Sequence, residues 1–124
     1  MSFRYFTLDE FKCKHCGANQ IDPALVLELD ELRHRFRKPL LISSGYRCPA
    51  HNSKVSKTGL YGPHTTGKAA DIAISHGDAL ALLKLALQMR FTGIGINQKG
   101  GGRFLHLDIL PNAAGQPRPT IWSY

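Results

Sequence analysis

Apolar residues recur at helical spacing in two stretches of the chain and alternate with other residues in several shorter ones. Asp22-Pro23 is typical of a helix start, because Asp caps the first turn and Pro fits the first helical position. The helix that follows has one apolar face, made of Leu25, Val26, Leu29, Leu32 and Phe36. Pro39 predicts its end. A second helix is expected from Asp78 to Arg90.

Short apolar or alternating segments predict five strands. They cover residues 40–44, 70–74, 93–97, 103–110 and 119–124. A glycine run at 100–102 separates the third strand from the fourth and suits a hairpin. The order of helices and strands is mixed and the late connections are short. The sequence therefore predicts a single α+β domain over residues 1–124, with a small antiparallel sheet flanked by helices.

Composition and charge narrow the class of protein. A hydrophobic fraction of 43% in 124 residues supports one packed core and excludes a disordered chain. The net charge of +7 favours an anionic partner such as nucleic acid, a membrane surface or a bacterial wall polymer. The basic residues are scattered, so we expect no nucleic-acid partner. No apolar run reaches the roughly 20 residues that cross a bilayer, and the start lacks a secretory signal. We expect cytoplasmic synthesis and no membrane partner.

The segment 62–71 contains the strongest candidate chemistry. His64 offers a nitrogen ligand and Asp71 an oxygen ligand, and both suit Zn²⁺. Seven residues of helix would separate the two by about 10 Å along the axis, too far to share one ion, so the intervening loop must curl back. Gly67 permits such a turn. Asp71 then opens a strand whose apolar neighbours point into the core.

A second polar pair, His106 and Asp108, lies within the apolar segment 104–109. Residues two apart in a strand point to one face, so we expect both side chains to face a site. An unpaired charge in apolar surroundings costs several kcal/mol, so both need partners. Two His and one Asp leave a fourth tetrahedral position open to water, which is typical of a catalytic zinc. Hydrogen-bonded or surface histidines are the alternative, and to that class we assign His15, His34 and His76.

Four sequence blocks together resemble the D-alanyl-D-alanine metallopeptidases. They are 43–47, the spacing His-x-x-Gly-x-Ala-x-Asp at 64–71, and the segments 93–96 and 104–108. That group includes zinc D,D-carboxypeptidases, the D,D-dipeptidases of vancomycin resistance and phage endolysin peptidases. The chain is most similar to the compact branch found in phages and periplasmic wall hydrolases. The resemblance implies a hedgehog/D-Ala-D-Ala metallopeptidase-like fold, with His64, Asp71 and His106 as the ligands of a catalytic Zn²⁺.

The resemblance also implies catalytic roles. Arg47 matches an arginine that binds substrate and stabilises developing negative charge. Several branches have Asp or Glu three residues before the third ligand, where this chain has Arg103. Asp108 is therefore our candidate for the general base. A related possibility is that His106 and Asp108 exchange roles.

The three cysteines form a separate candidate site. Cys13 and Cys16 have C-x-x-C spacing, and Cys48 and His51 have C-x-x-H spacing. Together they could hold a second, structural zinc. The alternatives are a disulfide between Cys48 and one of the first pair, or three reduced thiols. Cytoplasmic synthesis argues against the disulfide.

These observations predict a monomeric zinc peptidase, phage-encoded or phage-derived, that hydrolyses peptide bonds in peptidoglycan stem peptides as a D,D-carboxypeptidase or an endopeptidase. It would act on the wall or in the periplasm after release, or as part of a virion. One alternative is a non-catalytic zinc-binding wall-recognition module, which Arg103 keeps open. Another is a zinc-knuckle nucleic-acid binder built on the cysteines, which leaves the histidines and aspartates unexplained.

Overall fold

The computed structural model describes residues 2–124. Within that part of the chain there are three α-helices and a five-stranded sheet. The helices are α1 (Pro23–Phe36), α2 (Pro49–Val55) and α3 (His76–Ala86). The strands are β1 (Leu41–Ser44), β2 (Ala69–Ala73), β3 (Gly93–Asn97), β4 (Phe104–Asp108) and β5 (Thr120–Ser123). Short 3-10 helices cover Leu8–Phe11 and Pro63–Thr66.

The first long helix begins and ends as its sequence predicts. The Asp22 side chain accepts a hydrogen bond from the Ala24 N–H, and Arg37 closes the helix in the left-handed conformation before Pro39. The second predicted helix, 78–90, is displaced. It begins at His76 and ends at Ala86, because residues 88 and 89 continue in tighter turns whose N–H groups bond three residues back.

The sheet has the order β1-β2-β4-β3-β5. The first four strands are antiparallel to their neighbours, whereas β5 runs parallel to β3. The α+β class is confirmed, and the sheet is mixed where we expected an antiparallel one. The cause lies in the connection 109–119, which returns to the end of the sheet where β4 finishes. Gly93 consequently pairs with Asp108 on one side and with Thr120 on the other.

One face of the sheet packs on the helices and forms the core. Its fully buried members include Phe11, Leu25, Leu29, Ile72, Leu82, Leu105 and Leu107. Alternation along each strand leaves the opposite face for other side chains. That second face contains the polar residues of β2 and β4. None of the described helices combines the length and apolar character needed to cross a bilayer.

Candidate metal centre

The sheet register brings the candidate site residues into one row. Asp71 on β2 pairs with His106 on the central strand β4, and His106 pairs with Gly95 on β3. Gly95 in turn pairs with Trp122 on β5. Residues far apart in sequence therefore project from neighbouring positions on the face opposite the core.

His64 reaches this row from the 3-10 helix Pro63–Thr66 and is buried, with 5% of its surface exposed. Its Nδ1 lies 2.8 Å from the Gly45 carbonyl oxygen. A carbonyl oxygen can only accept, so Nδ1 carries the proton and donates. The other ring nitrogen, Nε2, lies 3.2 Å from Asp71 Oδ1. In its neutral form His64 thus directs a lone pair at Asp71.

His106 is oriented in the same way by a different acceptor. Its Nε2 donates to Asp108 Oδ2 over 2.7 Å. Its Nδ1 lies 3.2 Å from Asp71 Oδ1. The ring is 2% exposed and meets the His64 ring edge-on, with 5.1 Å between centroids. In each imidazole, therefore, one nitrogen donates a hydrogen bond to Gly45 or Asp108, and the other nitrogen is directed at Asp71 Oδ1.

This convergence favours a cation. His64 Nε2, Asp71 Oδ1 and His106 Nδ1 are all acceptors when the rings are neutral, and they lie within 4.8 Å of one another. Protonating both rings instead would place two like charges side by side in a buried pocket, which is costly. A tetrahedral zinc with bonds of about 2.0–2.2 Å holds its ligand atoms about 3.3–3.5 Å apart, close to the contacts seen here. The donor set therefore fits a divalent metal.

The charges around the pocket also favour a cation. Burial alone would raise the pKa of Asp71, but the hydrogen bonds and charges of His106 and His64 outweigh burial and hold that pKa well below its ordinary value. Burial alone would lower the pKa of His106, but Asp108 and Asp71 outweigh it and raise that pKa. The negative charges of Asp71 and Asp108 thus dominate the electrostatics of the pocket.

Among comparisons with known proteins, a sequence model of the peptidase M15 family matches residues 4–108. The chain belongs to the peptidase M15 family. The match covers most of the chain, including His64, Asp71, His106 and Asp108. It identifies a metallopeptidase and confirms the resemblance drawn from the sequence motifs. A search of curated proteins finds no match. Peptidases of this family are generally zinc-dependent.

Asp108 is fully buried and lies on the Nε2 side of the His106 ring, away from Asp71. Arg118 binds it through two contacts, Nε to Oδ1 over 3.0 Å and Nη2 to Oδ2 over 2.8 Å. The Leu110 N–H donates to Oδ1 over 3.2 Å. Burial opposes ionisation, but His106 and Arg118 outweigh it and lower the pKa of Asp108 to about 2. The carboxylate is ionised at neutral pH, and its oxygens are directed at the ring and the guanidinium.

Arg47 contacts the other side of the centre. Its Nη2 lies 3.4 Å from Asp71 Oδ2, the oxygen that the histidines leave free. Its Nε donates to Ser44 Oγ and its Nη1 to Asn52 Oδ1, each over 3.1 Å. Asn52 is a buried residue of α2. Arg47 is therefore held in one orientation against the candidate metal ligand.

The last strand extends the site beyond the segment that the family model matches. The Trp122 ring packs on His106 with 4.9 Å between centroids, and the Arg118 guanidinium lies 5.3 Å from the centroid of Trp122. This packing needs a glycine on β3, because a β-carbon at Gly95 would lie 2.7 Å from the indole. Tyr124 then packs on Phe104. Aromatic side chains thus border the metal centre on one side.

The acid missing at position 103 is not replaced from elsewhere. Arg103 donates to the Gly100 carbonyl and approaches His76, away from the centre. All nine acidic residues of the chain lie in its described part, and only Asp71 and Asp108 contact the site histidines. The remaining seven are engaged elsewhere by basic side chains or backbone N–H groups: Asp9, Glu10, Asp22, Glu28, Asp30, Glu31 and Asp78.

The structure also brings the three cysteines together. Their sulfur atoms lie within 4.8 Å of one another, and none is in a disulfide. His51 lies beside this cluster, with its ring stacked on that of His15. The cluster is separate from the ligand set of His64, Asp71 and His106.

Several residues of the centre were missed by sequence reasoning. Arg118 lies in a proline-flanked segment that shows no periodicity, so no pattern pointed to its pairing with Asp108. The Gly45 carbonyl is a backbone atom and has no sequence signal of its own. Trp122 did leave a signal, because it is the single tryptophan of the chain and lies in a predicted strand.

Proposed function

We propose that this M15 family member is a zinc-dependent peptidase that hydrolyses peptide bonds in the stem peptides of bacterial peptidoglycan, as a D,D-carboxypeptidase or an endopeptidase. One observation carries the proposal. His64 Nε2, Asp71 Oδ1 and His106 Nδ1 converge as three acceptors in one buried pocket. Three protein ligands leave one tetrahedral position for water or substrate, which is the pattern of catalytic rather than structural zinc.

Zinc held by these three residues would supply Lewis-acid chemistry, which polarises a substrate carbonyl and lowers the pKa of a bound water to about 7. The chain's own residues position the ligands. Gly45 and Asp108 select the tautomers of His64 and His106, and Arg47 holds the second oxygen of Asp71. The Arg47 N–H groups that are not engaged offer donors to negative charge developing on a substrate oxygen.

We assign Asp108 a positioning role in place of the general-base role that the sequence suggested. A general base must come within hydrogen-bond reach of the proton it removes. Asp108 is fully buried and lies on the far side of the His106 ring from Asp71. Its contacts with Arg118 and His106 match the outer carboxylates that orient metal-bound histidines.

The proposed substrate class agrees with the charge of the protein and the surroundings of the centre. A net charge of +7 favours association with an anionic wall polymer. Trp122 and Tyr124 offer apolar surface beside the metal position, suited to the alanine side chains of a stem peptide. We further propose a phage-encoded or phage-derived monomer that acts on the wall or in the periplasm, with no nucleic-acid or membrane partner.

A second candidate function is a non-catalytic zinc-binding module that recognises the cell wall. The observation that favours it is the missing acid. Of the nine acidic residues, only Asp71 and Asp108 touch the histidines, and neither is free to exchange a proton with water at the open position. A module that keeps the metal and lacks the base would bind stem peptides without cutting them.

The deciding experiment combines a zinc count on purified protein with digestion of purified peptidoglycan, with and without a chelator. The peptidase predicts chelator-sensitive release of stem-peptide fragments, restored by added Zn²⁺. Mass spectrometry of the fragments identifies the bond that is cut. Peptidoglycan binding without cleavage would support the recognition module, and absence of zinc from this centre would refute both.

Matched variants locate the activity at this centre. His64→Ala is expected to abolish cleavage and remove the zinc bound there. His34→Ala is the control, because His34 is an exposed histidine that contacts Tyr5 on the surface. Cleavage that survives His64→Ala would show that the proposed ligand set is not the active one.

A further inference from the structure

Three cysteines from two distant segments meet beside the loop that leads into α2. Cys13 and Cys16 come from the N-terminal segment, and Cys48 is the N-cap of α2. Cys13 is buried, Cys48 is half-buried and Cys16 is exposed. Their mutual separation of at most 4.8 Å between sulfur atoms is close to that of ligands sharing one metal ion.

The backbone around these cysteines directs N–H groups at the sulfur atoms. The Cys48 N–H donates to Cys13 Sγ over 3.3 Å, and the His51 N–H donates to Cys48 Sγ over 3.4 Å. A tight turn shapes the first segment, where the Gly17 N–H donates to the Cys13 carbonyl over 2.8 Å. Gly17 has φ of +78°, which suits glycine. N–H donors of this kind stabilise thiolate, the form that binds metal.

An imidazole lies beside the group and contacts one of its members. His15 Nδ1 lies 3.7 Å from Cys48 Sγ. With Zn–S bonds of about 2.3 Å and Zn–N bonds of about 2.0 Å, tetrahedral ligands of these two kinds lie about 3.5 Å apart. The His51 ring stacks on that of His15, with 5.3 Å between the ring centroids and an angle of 8° between the planes.

We propose that Cys13, Cys16, Cys48 and His15 form a structural Zn²⁺ site, separate from the centre at His64, Asp71 and His106. Four protein ligands close the coordination shell, which is the pattern of a structural zinc. The sequence pattern had suggested His51 as the fourth ligand. The contact of His15 with Cys48 makes His15 the nearest imidazole for that place, with His51 stacked on its ring.

A zinc ion at this site would stabilise the loop 45–48, which contacts the candidate centre at His64, Asp71 and His106. Cys48 follows Arg47 directly in the chain, and Arg47 contacts Asp71. The same loop contains Gly45, whose carbonyl orients His64. The Tyr46 N–H donates to the Phe11 carbonyl over 2.8 Å, so the loop is already attached to the segment that contains Cys13. Zinc between Cys13, Cys16 and Cys48 would strengthen this attachment.

Cobalt substitution of the full chain tests the proposal. Co²⁺ bound to thiolate gives a sulfur-to-metal charge-transfer band in the near ultraviolet, whereas a site of two His and one Asp does not. The reduced, metal-free protein loaded with Co²⁺ is expected to show this band, and Zn²⁺ is expected to displace it. Absence of the band while all three thiols are titratable would overturn the proposal. A disulfide in freshly purified protein that leaves one titratable thiol would overturn it as well.

Variants assign the ligands and separate this site from the peptidase centre. Cys16→Ser alters the exposed ligand and is expected to remove the band and one zinc equivalent per chain. His15→Ala is expected to weaken Zn²⁺ binding by about 100-fold or more, since loss of even an outer partner costs about 10- to 100-fold. Its matched control, His51→Ala, keeps the ligand set and is expected to cost less than about tenfold. The reverse order would overturn the assignment of His15.

The His64→Ala variant distinguishes failure here from failure of the proposed function. It removes a ligand of the other centre only, so the cobalt–thiolate band is expected to remain at full strength. Loss of the band in His64→Ala would mean that the two sites are not independent and would contradict the proposal.

Discussion

Arg118 binds both carboxylate oxygens of Asp108, and Asp108 in turn accepts the Nε2 proton of His106. The family match ends at residue 108, so a residue outside the matched segment orients a candidate metal ligand inside it. The Arg118 side chain is 7% exposed and that of Asp108 is not exposed at all. The C-terminal segment is thereby part of the centre and not an appendage to it.

Removal of Arg118 is expected to destabilise the protein. Arg118→Ala leaves the Asp108 charge buried with one partner fewer, and breaking a buried pair in this way costs about 3–5 kcal/mol. Urea unfolding of the metal-free protein measures the loss. The double variant Arg118→Met with Asp108→Asn is expected to recover part of it, because no unpaired charge remains. Arg103→Ala is the control and should change the free energy of unfolding by less than about 0.5 kcal/mol. If Arg118→Ala and Arg103→Ala lowered the free energy of unfolding by similar amounts, this account would be contradicted.

Asp108→Asn tests the positioning role against the general-base role. An amide can still contact His106 but no longer attracts its proton, so the metal affinity is expected to fall by about 10- to 100-fold. With saturating Zn²⁺, much of the activity should return, and the pH profile of kcat/KM should keep its shape. Competition with a chelating dye measures the affinity.

A general base would behave differently under the same measurement. Loss of kcat with unchanged zinc affinity, together with loss of the acidic limb of the pH profile, would assign proton transfer to Asp108 and contradict the positioning role. Thr92→Ala serves as a comparison, since the Thr92 hydroxyl reaches the Asp108 carboxylate only over 3.5 Å and has its shorter bond, of 2.7 Å, to the Leu110 carbonyl.

The strands of the sheet could be predicted from the sequence because the alternation of apolar and polar residues is a local property. Predicted strand 93–97 coincides with β3, and the others differ from the observed bounds by no more than two residues at either end. Of their pairings, only that of β3 with β4 could be predicted, because the glycine run between these strands suits a hairpin. Placing β4 between β2 and β3, and β5 alongside β3, depends on long-range packing that no short window contains.

The candidate metal centre could likewise be predicted only in part. His64, Asp71 and His106 could be nominated because two spacings matched a known family pattern. The partners that orient them could not, since the Gly45 carbonyl is invisible to sequence and Arg118 lies in an irregular segment. The role of Asp108 depended on its burial and on Arg118, so a sequence pattern that put it on the site face could not separate base from support.

The glycine beneath Trp122 offers a direct optical test of the C-terminal strand. A β-carbon at Gly95 would lie 2.7 Å from the indole, so Gly95→Ala is expected to push Trp122 off the His106 ring. Overpacking of this kind costs about 1–3 kcal/mol. Because Trp122 is the only tryptophan of the chain, its fluorescence emission should shift to the red.

The same variant probes the proposed substrate surface. If Trp122 contacts the stem peptide, KM should rise about 2- to 13-fold, as expected for loss of an aromatic contact worth about 0.5–1.5 kcal/mol. Gly101→Ala is the matched control, because a β-carbon there would meet no neighbouring atom within 4 Å. An unchanged emission spectrum in Gly95→Ala would show that Trp122 does not lie on β3 as described.

Asp22 links α1 to the loop that presents His64, and this link should depend on pH. Its side chain caps α1 by accepting from the Ala24 N–H over 2.9 Å and pairs with Lys68, while its backbone N–H donates to the Gly67 carbonyl over 2.8 Å. The hydrogen bond from Lys68, more than the capping bond, lowers the pKa of Asp22. A carboxyl whose pKa is lower in the folded state stabilises that state above its unfolded pKa of about 3.9, and this stabilisation is lost as pH falls through the folded value.

Asp22→Ala is therefore expected to cost about 1 kcal/mol at pH 7, the usual value of an N-cap. The difference from the unaltered chain should shrink as the pH is lowered below about 4, because protonation then removes the same interactions from the unaltered protein. Urea unfolding of the metal-free protein at pH 7 and at lower pH measures both. Asp9→Ala is the control, since the Asp9 side chain is 78% exposed and pairs only with Lys12 within its own turn. A cost for Asp22→Ala that does not change with pH would mean that the charge on this side chain contributes nothing, so the loss would come from the hydrogen bond of the cap alone.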